Sequence, residues 1–335
     1  MPEINLDGFS AISLTARVNH QAYIPTKLRA MDLFDVEGVD TITVAIEEDH
    51  EGAITLVQPS ARGSENKYSA DGERKLRDLR IPHLKRGVSL QATEVQGVRS
   101  FEDPSKRETI LSRWDKKVNL ERQSIYYTHE HMMMGAVMGV IKDAKGGTIY
   151  DLFTEFGAAQ EAVFEFDFDG ATSDEAGTGA LSILPAARQL KTKIKRNLGG
   201  MPTGALTVHA FCGENFFDQV TANQETRKAY REQSSREGGD GEMFKYGGVT
   251  FELYDGNDDV KIDTDDCQAF ARNVPGLFKG YFGPADTFDF VNTEGVPLYV
   301  ILEKMNQKGM YGEVQSNPLF LCTRPKSLIT CRKKA

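Results

Sequence analysis

Cysteine is scarce in this chain and follows no metal-binding pattern. The four cysteines, Cys212, Cys267, Cys322 and Cys331, form no C-x-x-C pair, so neither a zinc knuckle nor a disulfide framework is expected, and a reducing compartment suits them. Long apolar runs are missing as well: the richest, His131 to Ile141, falls short of the roughly 18 residues that a membrane span needs. The stretch up to Tyr23 lacks the basic start and unbroken apolar core of a signal peptide, because Glu3, Asp7 and Arg17 interrupt it, and no export is expected. Positive charge is in deficit. With 40 basic against 49 acidic residues the formal net charge is −9, which disfavours electrostatic capture of nucleic acid over a broad surface.

Catalytic signatures are absent or incomplete. No G-x-S-x-G elbow and no G-x-x-x-x-G-K-[ST] loop occurs, and Gly177-Thr178-Gly179 lacks the remaining glycine of a dinucleotide fingerprint. His129-Glu130-His131 resembles half of a metalloprotease motif, but Met133 stands where the second histidine is required. On one helix His129 and His131 also point about 200° apart, so both cannot chelate one ion. Asp255-Gly256-Asn257-Asp258-Asp259 with Asp263, Asp265 and Asp266 suggests a calcium loop, yet Val260 replaces the turn glycine and Asp266 the twelfth-position glutamate; a solvated hairpin tip is the plainer reading. Cys212 lies three residues after His209 on a strand, a spacing that points the two side chains apart, so a buried inert thiol is expected. No metal and no cofactor is expected.

A chain of 335 residues is long enough for two packed cores, or for one core with long excursions. Alternation in Thr41 to Ile46 reads as a strand. Between Pro59 and Lys75 the one bulky apolar residue is Tyr68, and strand character returns at Val88 to Val98. Such a segment cannot build its own core, and the flanking strands argue for a two-stranded arm that gains stability by lying on a neighbouring subunit. Beside it, Arg74, Lys75, Arg77, Arg80, Lys85 and Arg86 form a basic stretch: either a solvated face or the complement of an acidic patch on another copy.

The strongest periodic signal follows. Asp103 can cap a helix with Pro104 at its first position, and apolar residues recur at Ile110, Trp114, Val118, Ile125, Met132, Ala136 and Val140. The spacing predicts one amphipathic spine from Pro104 to Val140, about 55 Å long at about 1.5 Å per residue. Strands are predicted at Thr148 to Phe156, Ala162 to Phe168, Ala205 to Phe211 and Val249 to Tyr254; helices at Leu181 to Leu198 and Phe216 to Gln233; and a flexible loop at Ser234 to Gly241. The C-terminal runs Leu319-Phe320-Leu321 and Leu328-Ile329, broken by Pro318 and Pro325, read as short strands and turns. The class is α+β.

Three segments carry a family resemblance. QSNPLFLCTRPKSLITC (315–331) resembles the C-terminal end of the major capsid proteins of lambda-like tailed phages, where a QS-x-P-L motif precedes the last strand. TGALTVHAFCGENFFDQVTANQETRKAY (203–230) resembles that family's strand-turn-helix segment, and GLFKGYFGPADTFDFVNTEG (276–295) its glycine- and aromatic-rich stretch. The resemblance implies the Hong Kong 97-type capsid fold: an N-terminal arm (1–40), an extended β-hairpin loop (41–98), a peripheral domain with the spine helix (99–170, rejoined by part of 296–318) and a mixed α/β axial domain (171–295, rejoined by 319–335).

It also implies a structural and non-enzymatic role, in which copies form the hexamers and pentamers of an icosahedral shell around double-stranded DNA. A portal protein, a maturation protease and a decoration protein are the implied partners. The short start before Tyr23 leads us to expect a separate scaffolding protein. The candidate inter-subunit contacts are Arg62, Lys67, Tyr68, Arg74, Arg77 and Trp114. The expected location is the virion capsid, assembled in the cytoplasm of a bacterial host. Alternatives to be separated from this reading are an encapsulin-like nanocompartment shell, a soluble metal-dependent hydrolase using His129, His131 or the acids of 255–266, and a nucleic-acid binder.

Overall fold

The computed structural model describes residues 27–49, 74–96, 109–168, 183–237, 241–254, 256 and 260–334. The elements, in chain order, are α1 (Lys27–Ala30), β1 (Asp35–Gly38), β2 (Thr43–Asp49), β3 (Arg74–Arg80), β4 (Leu84–Gln91), α2 (Ala92–Val95) and the long α3 (Ile110–Met138). They continue with β5 (Val140–Lys142), β6 (Thr148–Asp151), α4 (Leu152–Glu155), β7 (Phe164–Phe166), α5 (Ile183–Asn197), β8 (Thr207–Cys212), α6 (Glu214–Ala222) and α7 (Arg227–Glu237). Strands dominate the rest: β9 (Met243–Tyr246), β10 (Val249–Leu253), β11 (Asp266–Arg272), β12 (Phe278–Phe282), β13 (Tyr299–Asn306), β14 (Gly309–Ser316), β15 (Pro318–Cys322) and β16 (Ile329–Lys333). The chain divides into two compact units, the first made of Met1–Gln21, Glu37–Trp114 and Tyr281–Leu319, the second of Ala22–Val36, Asp115–Gly280 and Phe320–Ala335.

In the first unit β4 pairs with β14 and β14 with β13, all antiparallel. Gly312 on β14 is required there: a Cβ would collide with the carbonyl oxygen of Ile301 on β13 and stand 3.1 Å from the indole of Trp114. A separate antiparallel pair joins β2 to β3, with Val44 opposite Leu79, and both of these side chains are buried.

The second unit is built on a six-stranded sheet in the order β7-β16-β11-β8-β10-β9. It is mixed: β10 runs parallel to β8 and β16 parallel to β7, while β11 is antiparallel to both of its neighbours. Phe166, Phe211, Phe216, Phe251 and Phe270 fill its core. Along the α3 spine, Trp114, Val118, Ile125, Met132 and Ala136 are buried as their spacing predicts, while Ile110 is exposed. The described helix has 29 residues, about 43 Å at about 1.5 Å per residue. It stops at Gly139, whose positive φ of 84° is the left-handed conformation glycine accepts, with the Phe153 ring against its Cα.

Several local expectations are corrected. The strand expected through Phe156 ends at Asp151, because the Asp151 carboxylate accepts from the Phe153 N–H at 3.0 Å and caps a helical turn, α4. The strand expected at Val88 to Val98 lies earlier, at β4, and residues 92–95 are helical. The single helix expected from Phe216 to Gln233 is two. Asn223 caps the break by accepting from the Glu225 N–H, and the Thr226 hydroxyl donates to the carbonyl of Val220. The second of these helices runs to Glu237, into the stretch read as a loop from Ser234.

Candidate functional site

Among the described residues no cluster of three or more His, Cys, Asp or Glu could hold a metal ion, and no helix is long and apolar enough to cross a membrane. The ionisable residues that drew notice in the sequence have structural partners instead. His129 is buried on α3, where burial and then the Arg29 charge push its imidazole down to about 3, so it is neutral at physiological pH. Glu130, also buried, accepts from the Leu28 N–H at 3.0 Å and from the Tyr254 hydroxyl at 3.3 Å. His131 is half-buried on another side of the helix. His209 Nε2 lies 2.7 Å from Glu252 Oε2, and Glu252 also pairs with Lys27 at 3.0 Å.

The thiols are sheet residues. Cys212, Cys267 and Cys331 stand directly opposite one another on β8, β11 and β16, fully buried, with Cys212 Sγ 3.4 Å from Cys267 Sγ. Burial, then the neighbouring thiols, raises the Cys267 thiol well above its ordinary value, and burial pushes Cys322 up to about 12. These are conditions for inert thiols, not thiolate nucleophiles. Of the acidic stretch, Asp255 and Asn257 to Asp259 lie outside the described residues; Asp263 and Asp265 are exposed, and Asp266 is gripped by Arg332 at 2.5 and 2.6 Å.

What remains is a set of surfaces. The hairpin strands pair from Thr43 opposite Arg80 to Asp49 opposite Arg74, about 23 Å of ribbon at about 3.3 Å per residue. Arg62, Lys67 and Tyr68 lie outside the described residues. Arg74 and Arg77 sit on β3, with Arg77 half-buried. The Trp114 side chain is fully buried in the single chain, behind Gly312, among the core residues of the first unit.

The loop inside the glycine- and aromatic-rich stretch 276–295 has its own anchoring. Asn317 Nδ2 donates to the Pro284 carbonyl at 2.5 Å, Tyr299 accepts from the Val296 N–H at 2.9 Å, and Phe290 packs edge-on against Tyr299. This scaffold holds Phe288 outward at 99% exposure, with Val291 also exposed. One bulky apolar residue set among Asp286, Thr287 and Asp289 was the signal available in the sequence.

The model of the phage major capsid protein E family matches residues 10–333, and the chain belongs to that family. It is 26% identical over 321 residues to the major capsid protein of Salmonella phage Felix O1, covering 84% of this chain and 85% of that one. With the major capsid protein of Pseudomonas phage KPP10 it shares 24% identity over 323 residues, covering 87% of each. Among solved structures, a candidate capsid protein of an E. coli CFT073 prophage superposes with a TM-score of 0.57 at 12% identity, over 97% of this chain and 99% of that one. The capsid of Myoviridae phage XM1 gives 0.51 at 10% identity, over 95% and 98%. These structures define the fold as the Hong Kong 97 type. The chain is thus a major capsid protein of a tailed phage or prophage, and its copies make the shell of the virion.

Proposed function

We propose that copies of this chain close into the hexamers and pentamers of an icosahedral shell that encloses double-stranded DNA without reading its sequence. The observation that carries this is the family match across residues 10–333. The β2–β3 ribbon supports it, because an isolated two-stranded ribbon is marginal in water and is stabilised by lying on another surface. A net charge of −9 suits a lining that holds DNA weakly.

In this reading residues 1–40 are the N-terminal arm and 41–98 the extended loop. Residues 99–170 with part of 296–318 form the peripheral domain, and 171–295 with 319–335 the axial domain. Arg62, Lys67, Tyr68, Arg74 and Arg77 contact the adjoining copy, and Trp114 contributes from behind β14. The chain has no catalytic activity of its own. A scaffolding protein, a portal protein, a maturation protease and a decoration protein act on it as separate chains, and assembly takes place in the cytoplasm of the bacterial host.

The test is to produce the chain with its scaffold, fractionate by velocity sedimentation and image the product by electron microscopy. Uniform hollow icosahedral particles are expected; a persistent small oligomer of fixed size overturns the reading. Deleting the tip around Tyr68 is expected to leave a folded chain that forms no closed particle. Normal shells from that deletion remove the hairpin from the contact.

A further inference from the structure

Helix α5 carries Arg188, Lys191, Lys193, Lys195 and Arg196 and no acidic residue, in a chain whose net charge is −9. It buries Ile183, Ala186, Ala187, Leu190 and Ile194 against the second unit's sheet. At 3.6 residues per turn Arg188, Lys191 and Lys195 then share the outward face. Arg188, Lys195 and Arg196 are exposed and Lys191 is half-buried, while Lys193 is turned to Glu161 at 3.0 Å. Like charges three and four apart on one helix face are destabilising. Lys195 lies in the last turn, where the helix dipole favours a cation, but Arg188 and Lys191 lie earlier and gain no such offset, so an acidic partner would relieve the repulsion along the row.

The helix has a definite place. Its first turns lie against Gly247 at the turn that opens β10, and Lys191 lies over Gly248. At its far end Asn197 Nδ2 donates to the Lys326 carbonyl at 2.9 Å, shortly before β16 begins. The basic face thus lies at the end of the six-stranded sheet where β8, β10 and β16 start and β11 finishes.

The opposite end of the same sheet is acidic. There β8 and β10 finish and β11 begins, with the Gly213 N–H donating to the Asp266 carbonyl at 2.9 Å and the Phe216 N–H to the Thr264 carbonyl at 3.0 Å. Glu214 and Asp218 on α6 and Asp263 and Asp265 before β11 are exposed at this end. β16 also finishes here: Arg332 is committed to Asp266 by a bidentate pair and Lys334 pairs with Asp167 at 3.6 Å, while Lys333 is half-buried and Lys261 is exposed, so the acids still outnumber the bases at this end.

A ring of identical subunits joins two different surfaces of each copy, head to tail. Opposite charge at opposite ends of one sheet attracts that arrangement and repels head-to-head pairing. Resting on the shell-forming reading, we propose that the Arg188, Lys191 and Lys195 face of α5 docks on the Glu214, Asp218, Asp263 and Asp265 end of the next copy, setting the direction of the ring. A second copy is the occupant rather than nucleic acid, because the chain itself supplies the complementary charge.

The experiment uses the full chain, produced with the head-assembly genes of its phage. Lys191→Glu with Lys195→Glu, and separately Asp263→Lys with Asp265→Lys, are each expected to lower the yield of sedimenting particles at least about tenfold. Far-ultraviolet circular dichroism should be unchanged. The chain carrying all four substitutions is expected to recover particles, which a misfolded variant does not do. Co-production of the two double variants should give rings of alternating chains, which close with an even number of copies. Wild-type yields from both double variants, or no recovery in the fourfold variant, overturn the proposal. So do shells of normal yield that lose packaged DNA from the Lys191 and Lys195 variant alone, which assigns the face to phosphate. Failure of the wild-type chain to form shells overturns the shell-forming reading instead.

Discussion

Glu130 Oε1 accepts a hydrogen bond from the backbone N–H of Leu28 at 3.0 Å, tying the C-terminal half of the long helix to a segment 102 residues earlier. Both residues are buried, and Lys27 beside them donates to the Leu253 carbonyl at 2.5 Å while pairing with Glu252. The segment at Lys27 and Leu28 is thereby fixed within the second unit by one apolar plug and a set of charge-assisted bonds.

Breaking that tie should cost measurable stability. Leu28→Ala removes a fully buried side chain and is expected to destabilise the chain by about 2–5 kcal/mol. Glu130→Ala leaves the Leu28 N–H and the Tyr254 hydroxyl without their acceptor, at about 1.5–3 kcal/mol, and Glu130→Gln, which keeps an acceptor oxygen, should cost less. Urea midpoints at unchanged slope check the series; equal midpoints for Glu130→Ala and wild type would remove the tie from the account.

The neutral, buried His129 predicts an acid weakness. Its folded value of about 3 lies below the ordinary 6.5, so below pH 6.5 the unfolded chain binds the proton that the folded chain refuses. Stability is therefore complete above about 6.5 and declines as pH falls toward 3, losing about 2 kcal/mol by about pH 5. His129→Gln should flatten that limb of the stability curve. Glu252 acts lower down. Burial raises its pKa, but the bonds from His209 and Lys27 outweigh this and hold it below the ordinary carboxylate value, so its contribution is lost as pH falls through that lowered value. Denaturant titrations at several pH values, on wild type and His129→Gln, separate the two.

All four thiols should be silent in the folded chain. Cys212, Cys267, Cys322 and Cys331 are fully buried and unbridged. A thiol reagent such as Ellman's is expected to label none of them under native conditions and all four in guanidinium. A fast-reacting native thiol would contradict the sheet register that sets Cys267 between Cys212 and Cys331.

The α3 spine was legible in the sequence because its apolar spacing persists over many turns, and the last strands because Pro318 and Pro325 punctuate two apolar runs. The turn at Asp151 was not. The stretch Thr148 to Phe156 is rich in residues that favour strands, and one carboxylate reaching the Phe153 N–H decides against the local preference. The row of Cys212, Cys267 and Cys331 was invisible for another reason: cross-strand neighbours are set by register, and no spacing along the chain encodes register between distant strands. The burial of Trp114 was not legible either, because an aromatic on a periodic helix reads the same whether it faces outward or a glycine of its own chain such as Gly312.

That burial makes Trp114 useful, since it is the sole tryptophan and lies in the first unit. Gly312→Ala drives a Cβ into the Ile301 carbonyl and toward the indole, and overpacking of this kind costs about 1–3 kcal/mol. Tryptophan emission should shift to longer wavelength at lower urea than in wild type. An unshifted midpoint would mean that β13 and β14 yield around the methyl group without loss.

Phe288 separates stability from assembly. At 99% exposure its ring buries nothing in the single chain, so Phe288→Ser should leave the unfolding free energy from urea titration within about 0.5 kcal/mol of wild type. A bulky apolar ring held outward by the Pro284, Phe290, Val296 and Tyr299 scaffold costs solubility unless another surface covers it. In a protein whose copies build a shell, that surface is present at high local concentration. Phe288→Ser is therefore expected to reduce particle yield in velocity sedimentation while the unassembled chain becomes more soluble. Unchanged yield would show that Phe288 stays exposed in the finished shell, facing either the interior or the medium.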